Sequence, residues 1–168
     1  EEFNSLFITS NDPGLDYEMR KSFTKRLPYL APELITYSTN RQGFRDRDFL
    51  IEKSPGKFRI AVVGDSITFG VGVQNVDTYS AILERELNAS GISVEVYNFG
   101  VGGYNTFQEY SVLIRQVLKF SPDLVILGYA LNDADPNADW SFDPVMGRLA
   151  LKNPPIAINT YRGPFGGR

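Results

Sequence analysis

At 168 residues, with 42% hydrophobic and 13% aromatic side chains, the chain fits one ordinary domain and has enough apolar mass to bury a real core. Seventeen Lys and Arg against 20 Asp and Glu leave a net charge of -3 with no long run of one sign, which argues against the basic stripe of a nucleic-acid platform. Cys and His are both absent, so disulfides, thiolate metal sites and the commonest general base go together, and no apolar run approaches the ~20 residues that cross a bilayer.

The chain opens at Glu1 without an initiator Met, which reads as a processed or trimmed N-terminus. Residues 1–56 are irregular, rich in aromatic, Pro and polar side chains, and are expected to form an irregular or β-rich extension packed on the core. Phe3, Leu6, Phe7 and Ile8 suit a short strand, and Leu27 to Pro32 an extended, Pro-punctuated segment. Asn40-Arg-Gln-Gly43 reads as a turn with Gly at positive φ, and the alternating signs of Arg45-Asp-Arg-Asp48 as a solvated face.

From residue 57 the texture changes to strand followed by helix, marking an α/β unit over 57–168. Ile60 to Val63 is a buried strand that stops at Gly64-Asp65-Ser66. Tyr79, Ile82, Leu83 and Leu87 then recur at helical spacing up to a stop at Gly91, and Val94 to Tyr97 makes a second strand. Thr106-Phe-Gln-Glu109 has the form of a capping box, and Phe107, Tyr110, Ile114, Val117 and Leu118 line one apolar helix face. Asp123 to Gly128 is a third strand, apolar throughout as for a parallel strand covered on both faces. Two right-handed crossovers make a parallel sheet, with the order 2-1-3 favoured over 1-2-3 because it gathers three loops around Ser66. Beyond Asn132 the regular pattern fades into Pro-broken chain.

In a parallel sheet all three strands end at one edge, where ligands bind in open α/β folds. The loops there carry Gly64-Asp-Ser66, Asn98-Phe-Gly-Val-Gly-Gly103 and Gly128-Tyr-Ala-Leu-Asn-Asp133. A hydroxyl, a glycine-rich turn with exposed N–H groups and a carboxamide are the parts of acyl transfer: a nucleophile and donors for the developing oxyanion. Taken singly each is a common turn; at three successive strand ends they form a constellation.

These three blocks resemble those of the SGNH, or GDSL-type, hydrolases over residues 59–133. Gly64-Asp65-Ser66 followed by Ile-Thr-Phe-Gly70 matches the first, Gly103 takes the glycine position of the second, and Asn132-Asp133 matches the third, with Ala130 where that family has Gly. The resemblance implies a three-layer, flavodoxin-like α/β fold and ester hydrolysis, of carbohydrate acetyl esters or lipid acyl esters. It makes Ser66 the nucleophile and assigns the oxyanion hole to the N–H groups of Ser66 and Gly103 and the side chain of Asn132. Asp65, Tyr104, Tyr129 and Asp133 fall on the substrate side, and the aromatics, with Trp140, suit either stacking on a sugar or a place in the core or rim. Neither cofactor nor metal is implied.

The resemblance lacks one block, the Asp-x-x-His that supplies the general base, since no His exists in this sequence. Asp65 is poorly placed to serve instead, being the neighbour of Ser66. The preferred reading is a chain incomplete at its C-terminus; the alternatives are delivery of the block by a second polypeptide, or a module that binds a carbohydrate or acylated ligand without turnover. A dinucleotide site is disfavoured because Gly70-Val-Gly72 continues to Asn75 instead of the third Gly, and a P-loop is excluded by the missing Gly-Lys-Ser/Thr.

Overall fold

The computed structural model describes residues 3–12, 14–28, 33–130, 140–143 and 148–151. At its centre lie three parallel strands, β5 (Phe58–Gly64), β6 (Val94–Gly100) and β7 (Leu124–Gly128), in the order β6-β5-β7. This is the 2-1-3 arrangement: the first strand of the unit is central and its crossovers diverge to either side.

Alternation along the strands sorts side chains onto two faces. Ile60, Val62, Val94, Val96 and Ile126 pack with Leu83 and Leu87 of helix α2 (Tyr79–Ala89). Ala61, Val63, Tyr97, Phe99 and Val125 face the other way, toward Val112 of helix α3 (Thr106–Arg115) and Val117 and Phe120 of the 3-10 turn that follows it. Each fully buried Val or Phe here contributes about 1.5–3 kcal/mol relative to exposure. Helices on both faces of a parallel sheet make the three-layer α/β architecture.

The second face is shared with the N-terminal residues, which are more regular than their composition suggests. A 3-10 turn (Phe3–Leu6) leads into β1 (Phe7–Thr9), paired antiparallel with β2 (Tyr17–Met19), and β3 (Thr24–Leu27) pairs antiparallel with β4 (Ile35–Ser38). Leu6, Phe7, Tyr17, Tyr37, Phe44 and Phe49 belong to the same buried cluster as Phe99 and Phe120. Phe49 stacks on Tyr97 at 4.4 Å and Phe44 meets Phe99 edge-on at 4.9 Å, contacts that an aromatic-rich segment makes without regular periodicity. Of the Pro-punctuated segment, Tyr29, Leu30, Ala31 and Pro32 lie outside the described residues. Beyond the sheet, β8 (Trp140–Asp143) pairs antiparallel with β9 (Arg148–Leu151).

Only half of the charged stretch 45–48 is a solvated face, Arg47 being exposed and Asp48 partly so. Arg45 is buried, and Asp46 accepts from the amide of Asn98 at 2.9 Å. With Glu84 and Asn88 of α2, which accept from the amides of Val96 and Val94, Asp46 covers alternate N–H groups along the outer edge of β6. An edge that would otherwise offer its donors to another strand is thereby closed by side chains. Burial pushes the Asp46 carboxyl up to about 6, against the lowering effect of that amide and of Arg47.

Two further expectations are corrected. The cap of α3 is one residue earlier: Asn105 accepts from the Gln108 amide and Gln108 accepts from the Asn105 amide, each at 3.1 Å, so Thr106 is already the first helical residue. Asn ranks above Thr at this position, and Gln closes the box as well as Glu does. The predicted apolar face of α3 is also largely open: Phe107 is 68% exposed, Tyr110 56% and Leu118 52%, whereas Gln108, Glu109, Ser111 and Val112 are buried. Periodicity finds a stripe but not what lies opposite it. Strand β7 shows the same openness, with Leu124 and Leu127 about half exposed, because it forms the other edge of the sheet among the described residues.

Candidate active site

Each strand of the central sheet ends in glycine, and the three glycines stand in one row: Gly64 is paired with Gly100 on one side and Gly128 on the other. The row exists because a short helix, α1 (Ser66–Phe69), lies directly across it. A Cβ on Gly64 would sit 2.1 Å from Thr68 Oγ1, one on Gly100 2.3 Å from the Phe69 amide nitrogen, and one on Gly128 2.4 Å from Thr68 Oγ1. Side chains at these three positions would lift α1 off the sheet. Thr68, wholly buried, shares a 2.7 Å hydrogen bond with the hydroxyl of Tyr79.

A helix of one turn cannot hold itself, and its ends are tied from outside. Asp65 caps the start, accepting from the Ile67 amide at 2.9 Å, and Gly70 closes the end in the left-handed region at φ 84°. Asn98 Nδ2 donates to the Thr68 carbonyl at 2.8 Å and to Ser80 Oγ at 3.0 Å, while its Oδ1 accepts from the Gly100 amide at 2.9 Å. Arg45 donates to the carbonyls of Phe69, Gly70, Val73 and Thr36, with its guanidinium 4.5 Å from the centre of the Tyr37 ring. Burial lowers the Arg45 pKa to about 10, leaving it cationic at neutral pH.

Ser66 is the first residue of α1 and half-buried, its Oγ donating to Asp65 Oδ2 at a long 3.4 Å. The first amides of a helix point outward without an intrahelical acceptor. The second block begins where Val101 donates to the Gly64 carbonyl at 3.0 Å, holding the loop after β6 against the end of β5. There Gly103 takes φ 83°, a conformation that only Gly adopts without strain. Tyr17 fastens this turn from the N-terminal unit: its hydroxyl donates to the Gly102 carbonyl at 2.9 Å and its carbonyl accepts from Tyr104 Oη at 2.7 Å. Among the described residues, no hydrogen bond uses the amide of Ser66 or of Gly103.

The substrate-side residues separate. Asp65 is 1% exposed and engaged in capping, so its carboxylate faces the helix amide instead of the solvent. Tyr104 is 2% exposed, with its ring against Tyr17 and its ionisation pushed well up by burial; it is a core residue, and a stacked sugar has no access to it. Tyr129 is 55% exposed at the end of β7. Asn132 and Asp133 lie outside the described residues, and Trp140 is described only as part of the β8 backbone.

Sequence reading missed Arg45, Asn98 and the glycine row as the supports of α1. The row was visible as a Gly closing each of three apolar runs; Arg45 was hidden because its partners are backbone carbonyls that no side-chain pattern announces.

Comparisons with known proteins give a family. A family model described as the GDSL-like lipase/acylhydrolase family matches residues 62–150, more than half the chain. The crystal structure of AlinE4, an SGNH-hydrolase family esterase, and that of a variant of the same esterase are each 29% identical over 45% of this chain, with a TM-score of 0.37. The match spans 43% of the AlinE4 chain. No curated protein matches the chain.

Proposed function

The chain belongs to the GDSL-like lipase/acylhydrolase family, and from that premise we propose that it carries the nucleophile half of a serine esterase. The carrying observation is the pairing of Ser66, at the start of α1, with two amides, its own and that of Gly103, at the same sheet edge and unclaimed by any described hydrogen bond. Ser66 Oγ attacks the ester carbonyl; the carbonyl oxygen, gaining negative charge, is met by these two N–H groups and by the Asn132 carboxamide. Collapse expels the alcohol and leaves an acyl-serine that water hydrolyses.

No His is available in these 168 residues to take the serine proton. The general base and its orienting acid therefore come from polypeptide outside this sequence, in the same protein or a second one. With the oxyanion donors and binding alone, a residual acceleration of about 10³–10⁴ over water is the expected scale. Carbohydrate acetyl esters and lipid acyl esters are the two substrate classes in view.

The test is release of p-nitrophenol from p-nitrophenyl esters by the chain and by Ser66→Ala. Release above the buffer rate that disappears in Ser66→Ala supports the assignment; equal release by both removes Ser66 from the chemistry. The absence of His supports a second reading, a module that holds acylated or carbohydrate ligands without turnover. It predicts saturable ligand binding that survives in Ser66→Ala, with no acyl-serine formed.

A further inference from the structure

Next to Ser66 the surface opens into a pocket of about 430 Å³, walled by Ile67, Val71, Val73 and Tyr79. Ile67 is 65% exposed, Val73 37% and Tyr79 36%, so three large apolar side chains stand open to solvent beside one hydroxyl. Scattered exposed apolar residues are ordinary; a group of them lining a concavity at a candidate nucleophile marks a binding surface.

Two of the hydroxyls in the lining are engaged elsewhere. Tyr79 Oη is taken by Thr68 at 2.7 Å, and Thr78 Oγ1 donates to the Asn75 carbonyl at 2.8 Å while capping α2. Among the described residues of the lining, Asp77 is the charged one. A sugar would need several convergent donors and acceptors, and few are on offer among the described residues; a hydrocarbon chain needs only the apolar wall.

That wall is built before any ligand arrives. Its loop, residues 70–74, is held from behind by the N-terminal unit: Arg45 donates to the carbonyls of Gly70 and Val73, and Tyr37 Oη accepts from the Gly72 amide at 3.0 Å. Gln74 accepts from the Thr36 amide at 3.2 Å and donates to the Leu34 carbonyl at 3.1 Å. Strand β4 and Arg45 thus fix the distance between Val73 and Ser66, and a preformed apolar wall spares the ligand the cost of ordering it.

We propose that this pocket receives the hydrocarbon tail of the acyl group, and that the substrates are esters of medium- or long-chain acids, not acetyl esters. The inference rests on Ser66 being the nucleophile. The N-terminal unit then has a defined part, setting the shape of the acyl pocket through the loop 70–74.

The experiment uses the full chain and fluorophosphonates bearing methyl, butyl or octyl on phosphorus. In the labelling step the Ser66 Oγ–P bond forms, the P–F bond breaks, fluoride leaves and the hydroxyl proton passes to solvent. Rate constants are read from intact mass for wild type, Ser66→Ala, Val73→Trp and Val73→Asp, with thermal unfolding of each variant alongside. The proposal expects octyl to label wild type at least about tenfold faster than methyl, as successive methylenes leave water. It also expects that ratio to fall to near unity when Trp fills the pocket or Asp charges its wall. Equal octyl and methyl rates in wild type, or a ratio unchanged in either folded Val73 variant, overturn it. Equal labelling of wild type and Ser66→Ala is a different failure: it removes the nucleophile assignment on which the proposal stands.

Discussion

Gly100→Ala is the sharpest perturbation of the geometry that holds Ser66. Its Cβ would stand 2.3 Å from the Phe69 nitrogen and 2.6 Å from the Thr68 carbonyl carbon, against an ordinary contact of at least 3.4 Å. Both obstacles are backbone atoms of α1, so no rotamer relieves them, and the helix must rise by about 1 Å. Overpacking of this kind costs about 1–3 kcal/mol, and a 1 Å displacement of a reacting group costs about 100-fold in rate. Gly128→Ala is expected to be milder, because its Cβ meets side-chain oxygens, Thr68 Oγ1 at 2.4 Å and Tyr79 Oη at 2.6 Å. Adding Thr68→Ala and Tyr79→Phe removes both atoms and is predicted to recover part of the loss. Gly102→Ala is the control, since the nearest atom to its Cβ is Phe7 Cζ at 3.6 Å. Urea unfolding and the fluorophosphonate labelling rate measure the two effects. If Gly100→Ala matches Gly102→Ala in both, the glycine row does not position Ser66.

Other consequences concern the supports. With the Asp46 carboxyl raised by burial to about 6 from 3.8, the native state binds more protons than the unfolded chain between those values. Its contribution to stability is therefore favourable at low pH and lost as pH rises through about 6, so Asp46→Asn is predicted to stabilise the protein at pH 8 by at most about 3 kcal/mol. That gain should vanish toward pH 4 in paired urea titrations, and a gain independent of pH contradicts the assignment. Asn105→Ala removes the capping box of α3 and is expected to cost about 1 kcal/mol, read as a fall in the urea midpoint; Thr106→Ala, one residue inside the helix, is expected to cost less. The reverse order would restore the cap to Thr106.

The central sheet was legible in the sequence because three apolar runs of strand length, separated by helix-period segments, leave few alternatives for order and direction. The loops carrying Ser66 and residues 98–103 were legible for the same reason, since parallel strands deliver their ends to one edge, while Gly103 was singled out only by the resemblance. The N-terminal hairpins were legible only as an irregular or β-rich extension with one short strand near Phe7 and Ile8. Their strands are three or four residues long, below the length at which alternation is distinguishable from chance, and they are secured by aromatic contacts with residues far along the chain. Arg45 and Asp46 misled because charge alternation ordinarily signals solvent, whereas here one side chain satisfies buried carbonyls and the other an edge amide. Tyr104 misled by proximity: it follows Gly103 directly, yet its ring turns inward to Tyr17. The apolar stripe of α3 shows the same gap between a pattern and its partner.

The central claim is that Ser66 is a nucleophile presented to two amides that no hydrogen bond among the described residues uses. It is tested most directly by fluorophosphonate labelling of the chain, followed by peptide mapping of the adduct. The account predicts a single adduct on the peptide containing Ser66, lost in Ser66→Ala and formed much more slowly in Gly100→Ala. An adduct on another residue, or equal labelling of wild type and Ser66→Ala, would contradict it.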